Sequence, residues 1–213
     1  MDSVKQIIKK LEQRFPRGDY YLVRLSRSDE MDAAFKRLLA VVDSNANHSA
    51  NNKLKPGELS DIGWKLGWAP ADVPGIFLNE RVELEIADAL AVKDGEIEAL
   101  PGQVEIARQL LARLNLSALA QQNSYHLSKG EAKLVWFLCQ WVKAPDYLFI
   151  SDLITYLSPN RVEDILNFLT THQDNLTNPG TVVIGAADAA QIESIQSLTK
   201  NICWKIEPEW SPL

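Results

Sequence analysis

Between Ser128 and Val142 the apolar residues Leu134, Val135, Phe137, Leu138, Trp141 and Val142 recur at the spacing of one wide helical face. Ahead of them, Ser128 and Glu131 make an S-x-x-E pair, in which hydroxyl and carboxylate each satisfy a free amide of the first turn. The pattern predicts a helix from about Lys129, broken at Ala144 and Pro145. Tyr147 to Ile150 is then an apolar run too short for a helix and bounded by polar residues, which predicts a strand covered on both faces. Ser158 followed by Pro159 is an N-cap with proline in the first turn. It opens a further helix striped by Val162, Ile165, Leu166 and Leu169.

Comparable patterns extend to both ends of the chain. Val4, Ile7, Ile8, Leu11 and Phe15 predict an amphipathic helix over 3–15, stopped by Pro16. YYLVRL from Tyr20 reads as a strand after a Gly-Asp turn, and Ser28 with the acids behind it as a helix start, with Phe35, Leu38, Leu39 and Val42 as its stripe. Residues 43–60 are polar and turn-rich and read as a loop. Helical spacing returns with Val82, Ile86 and Leu90, and again with Val104, Ile106, Leu110, Leu111 and Leu114. Later, Asn178, Pro179 and Gly180 form a turn and TVVIGA from Thr181 a buried strand. Asp188 and Gln191 make a D-x-x-Q capping box, and NICWKI reads as a last strand before a tail docked by Trp210. Strands alternating with helices predict an α/β fold, a mainly parallel sheet flanked by helices. A helical sub-domain is inserted at 82–144, between core segments 1–81 and 145–213 of a single domain.

Composition narrows the classes. At 213 residues the chain is long enough to bury a sizeable core, and its net charge of −6 offers no electrostatic footprint for nucleic acid or an anionic membrane. Cys139 and Cys203 are too few for a disulfide framework and both lie in apolar stretches, so a reducing, cytoplasmic setting is expected. No apolar run approaches the roughly 20 residues of a membrane span, and MDSVKQIIKK has no signal-peptide core. His48, His126 and His172 have no ligand spacing with a cysteine, so no metal site is expected.

The central stretch also resembles the second half of an ATP-binding cassette (ABC) ATPase. In that family LSGGQ opens a helix, followed by a proline and an aspartate, four apolar strand residues, an aspartate, a glutamate, and a loop ending in Leu-Asp-Pro. LSKGE, Pro145, Asp146, YLFI, Ser151, Asp152, Leu157, Ser158 and Pro159 fall into this frame without a gap. Leu66, Gly67 and Trp68, then Val82, Glu83, Glu85, Ile86 and Ala87, resemble the I-G-Y-V-F-Q and V-E-E-E-I-A segments of importer-type members. The resemblance covers roughly residues 18–205. It implies a P-loop NTPase fold whose helical part contacts a membrane permease, although a helical arm would read the same without one.

The chemistry departs from that frame. A P-loop needs G-x-x-x-x-G-K-[ST], glycines whose amides wrap phosphates, a lysine that reaches the terminal ones and a hydroxyl on magnesium. Between Arg24 and Ala34 there is no glycine and no lysine, and Met31 or Asp32 stands at the lysine position. Asp29, Glu30 and Asp32 lie where phosphates would approach, and two like charges about 4 Å apart repel by about 4 kcal/mol at an effective dielectric of 20. Complementing a helix N-terminus is their structural reading. By resemblance, Ser151 replaces the magnesium-binding aspartate, Asp152 the catalytic glutamate, Ala71 the Q-loop glutamine and Ala187 the switch histidine.

These replacements imply a pseudo-ATPase that hydrolyses nothing and serves as a structural or regulatory partner of other proteins, without a cofactor of its own. The alternative is a non-hydrolysing subunit whose Ser128, Lys129, Gly130 and Glu131 contact ATP bound by a partner subunit, either an intact ABC ATPase or a homodimer mate. In that reading the link to transport is through the partner, and the chain itself inserts in no membrane.

Overall fold

The sheet is built from short apolar runs with covered faces. In the computed structural model, which describes residues 9–27, 29–36, 66–73, 77–171, 180–199 and 202–207, five strands form one sheet. They are β1 (Tyr20–Arg24), β2 (Leu66–Ala69), β3 (Tyr147–Ile150), β4 (Thr181–Ala186) and β5 (Trp204–Glu207), in the order β2-β3-β4-β1-β5. Every pairing is parallel, with Tyr20 opposite both Val182 and Trp204, and Leu66 opposite Tyr147. Parallel strands need covered crossovers, and these come from α1 (Val82–Asp94), α2 (Pro101–Arg113), α3 (Lys129–Trp141), α4 (Pro159–Thr171) and α5 (Ala189–Leu198). Helical residues 9–14 and 30–36 and the short 3-10 helices Ser117–Leu119 and Ser124–His126 complete the described elements.

Strand alternation sorts the interior into two cores. Leu22, Leu148, Ile150, Val182 and Ile184 join α1 to α5 on one face, whereas Tyr21, Val23, Tyr147, Phe149 and Val183 pack with Leu11, Phe15, Met31 and Phe35 on the other. Both faces are therefore buried, which is why YLFI and TVVIGA read as continuous apolar runs instead of alternating ones. The helices α1, α2 and α3 follow one another between β2 and β3. Val82, Ile86 and Leu90 meet Ala107, Leu110 and Leu111, and Gly95, in the left-handed region at φ 80°, terminates α1. Glu83 is fully buried there, held by Arg81 at 3.1 Å and Arg108 at 2.8 Å.

The α/β architecture expected from the sequence is the one observed, with several local corrections. Ile106 is exposed, and the buried position of its turn is Ala107. The last strand starts at Trp204, later than NICWKI implied, and Cys203 is exposed, whereas Cys139 is buried and its thiol pushed up by burial. Asp188 does accept from the Gln191 amide at 2.8 Å, but the Gln191 side chain accepts from the Ala187 amide, one residue before its expected partner. β2 is a strand that apolar patterning did not predict. Residues 3–8, Ser28, Leu38, Leu39, Val42, the 43–60 loop, His48, His172, Asn178, Pro179 and Trp210 lie outside the described residues.

Candidate functional site

In an all-parallel sheet the loops at the carboxyl ends of the strands share one edge, and that edge is where such folds place ligands. Here it gathers the residues after β1, β2, β3 and β4, and so brings Asp32, Trp68, Ala71, Ser151, Asp152 and Ala187 into one neighbourhood. Strand register alone closes sequence separations of 162 and 81 positions, with Arg24 opposite Ala186 and Ala69 opposite Ile150.

Asp32 is at the centre. Only 7% exposed, its carboxylate accepts from the Trp68 indole Nε1 at 3.0 Å and from the Ala71 amide at 3.0 Å. The same indole reaches the hydroxyl of fully buried Ser151 at 3.4 Å, and Phe35 stacks on the Trp68 ring with centroids 5.6 Å apart and planes 10° apart. From α3, the Trp136 indole donates to the Trp68 carbonyl at 3.0 Å. Helix-terminus complementation is therefore not what Asp32 does. It ties the 30–36 helix to the segment that leaves β2.

The loop after β1 is likewise satisfied from within. Glu30 accepts from the Ser26 amide at 2.9 Å, and Asp29 forms a two-point pair with Arg27 at 2.9 and 3.1 Å. Met31 is fully buried in the second core, beside Gly185, where a Cβ would sit 2.7 Å from a Leu25 methyl. Whichever of Met31 and Asp32 stands at the lysine position, its side chain is committed to the interior.

Asp152 is engaged as well. Its carboxylate accepts from the Thr155 amide at 3.2 Å and from the Thr155 hydroxyl at 2.6 Å, while its backbone sits at φ 46°. Lys133, 2% exposed on α3, donates to the Asp152 carbonyl and, at 3.1 Å, to the Thr155 carbonyl. Burial pulls its ammonium down from 10.5 to about 8, against the attraction of Asp152, Asp32 and Asp72. Ala187, at the expected switch position, is half-buried and contributes only the amide already described.

At the start of α3 the expected capping box is present. The Ser128 hydroxyl accepts from the Glu131 amide at 3.3 Å and donates to the Glu131 carboxylate at 2.6 Å, which also accepts from the Ser128 amide at 2.9 Å. Gly130 is packed so closely that a Cβ would lie 2.5 Å from the Tyr156 carbonyl. Lys129 is exposed, pairs with Asp72 at 3.3 Å and lies 4.8 Å from the centre of the Tyr156 ring; the Asp72 bond chiefly raises its pKa.

Sequence reasoning named the positions at Ser151, Asp152, Ala71 and Ala187 but missed Trp68 and Lys133 as structural centres. For Lys133 a signal existed, since it lies four residues before Phe137, on the flank of the apolar stripe. Among the described residues no group of three or more His, Cys, Asp or Glu side chains could hold a metal ion, and no helix is long and apolar enough to cross a membrane.

No family model and no curated protein matches the chain. Solved structures do. The chain is similar to cbiO1 of Clostridium perfringens, part of the ABC transporter complex cbiONQ, at 15% identity over 88% of this chain and 73% of that one, with a TM-score of 0.57. A dimeric ATP-binding cassette in a post-hydrolysis state, bound to ADP and Pi, aligns at 19% identity over 72% of this chain and 64% of that one, with a TM-score of 0.55. The ATP-binding subunit of an ABC transporter aligns at 13% over 89% and 75%, again with a TM-score of 0.55. At these identities the likeness is one of fold, and this chain has the P-loop NTPase fold of ABC transporter ATPase domains.

Proposed function

We propose that the chain is a catalytically inactive ABC ATPase-like protein that acts as a structural or regulatory partner of other proteins. The observation that carries this reading is the Asp32 carboxylate, bonded to the Trp68 indole and the Ala71 amide where the phosphates of a nucleotide would have to be gripped. Phosphoryl transfer is mostly positioning and charge neutralisation, so a fixed carboxylate in place of a lysine opposes both. A nearby amide that could face a phosphate is used by Glu30, and Ser151 offers magnesium a hydroxyl where the family has an aspartate. This donor set does not fit Mg-ATP.

With the fold retained and the phosphate grip replaced, surface recognition is the remaining use of the scaffold. A groove of about 430 Å³ on the helical arm supports a protein contact there, with Leu78 and Val92 exposed beside Trp136, Glu85 and Asp88. Calorimetric titration of the full chain with Mg-ATP, paired with a phosphate-release assay, tests the reading. No heat of binding up to millimolar nucleotide and no turnover above buffer are expected. Saturable binding with turnover would overturn it.

A second reading rests on the exposed start of α3, where Ser128 and Lys129 face solvent. In this reading the segment Ser128, Lys129, Gly130 and Glu131 completes an ATP site held by an intact ABC partner. Its signature is a change in the ATP turnover of such a partner on mixing, abolished by Ser128→Arg.

A further inference from the structure

The loop after β3 carries more constraint than its length requires. Residues 152–157 contain two non-glycine residues in the left-handed region, Asp152 at φ 46° and Tyr156 at φ 70°. For a bulky ring such as that of Tyr156 this conformation persists only where the surroundings over-determine it. Leu153 anchors the loop in the main core, and α3 supplies three further contacts. Lys133 reaches in to the carbonyls of Asp152 and Thr155, Gly130 makes room for the Tyr156 carbonyl, and Lys129 covers the Tyr156 ring, which stays half exposed. From its own side the loop adds the Asp152 carboxylate, which caps Thr155 twice.

An ammonium buried to this extent is costly unless its protons are used. Here they are used on backbone carbonyls that no strand or helix satisfies, and bonds from a charged donor are roughly twice as strong as neutral ones. We propose that Lys133 is a built-in latch, which holds the 152–157 loop and the exposed Tyr156 in one conformation from inside the protein. A partner that reads this loop meets a surface already set from within.

Hydrogen–deuterium exchange on the full chain, wild type against Lys133→Met, tests the latch. The expected result is exchange at 153–157 at least tenfold faster in the variant, with β3 and β4 within twofold of wild type. Unchanged protection in the loop would overturn the proposal, as would a loss shared equally by the strands. Should Lys133→Met not fold, amine acylation of the wild type followed by peptide mass mapping gives an independent answer. Lys133 should react at least tenfold more slowly than exposed Lys129, and equal rates would sink the latch.

Discussion

The loop after β1 and the start of α3 are the two places where the ABC ATPase frame would handle phosphate, and they have fared differently. Around Asp32 the residues close on one another through Glu30, Trp68 and Ala71. Around Ser128 the residues that resemble the frame have local structural contacts of their own. Ser128 and Glu131 cap a helix, and Gly130 avoids the Tyr156 carbonyl. Residues of such a motif that also serve the fold have a structural reason to be there, so the motif by itself is weak support for an activity.

The contrast can be broken at several points. The largest expected effect is on pH dependence at Lys133. Its folded-state value of about 8 lies below the ordinary 10.5, so between these limits the unfolded chain binds more protons than the folded one and stability rises with pH. Below about pH 8 the cost is constant. Denaturant unfolding of wild type and Lys133→Met from pH 7 to 10.5 should therefore show their difference shifting in favour of wild type by a few kcal/mol, at about 1.4 kcal/mol per unit.

Next comes Asp32→Ala, which leaves the Trp68 indole and the Ala71 amide without their shared acceptor. A loss of about 2–3 kcal/mol is expected by urea denaturation, together with a change in tryptophan emission. If instead the variant keeps full stability, the internal network is not what closes that end of the sheet. Gly130→Ala should cost about 1–3 kcal/mol because the new methyl group meets the Tyr156 carbonyl at 2.5 Å. The smallest effect is that of Ser128→Ala, about 1 kcal/mol for a lost cap, with the folded spectrum unchanged. A result near zero for both α3 variants would mean that the retained motif is not structural, and would favour the composite-site reading.

Much of the fold was legible because its signals are local. The S-x-x-E box, the YLFI and TVVIGA runs and the Ser-Pro helix start each specify an element from adjacent residues. β2 was not, since LGWA contains a glycine that strand propensity disfavours. The reason for Gly67 lies far along the chain, where a Cβ would come within 2.8 Å of the Pro145 ring. The candidate site was half legible in the same sense. An acid at a helix start satisfies a local rule, so Asp32 looked complete without the tryptophan that binds it from 36 residues away. Nothing adjacent to Lys133 announces that its partners are carbonyls of a loop beyond the next strand.

Strand order carries a consequence for how the molecule is made. Among the described strands β1 comes first in sequence yet lies between β4 and β5, so neither of its ladder partners exists until the segments from Thr181 and Trp204 onward have been synthesised. At ribosomal speeds of about 5–20 residues per second, that is a wait on the order of ten seconds or more. Throughout it, Tyr21, Leu22 and Val23 lack both of the strands that flank them in the finished sheet.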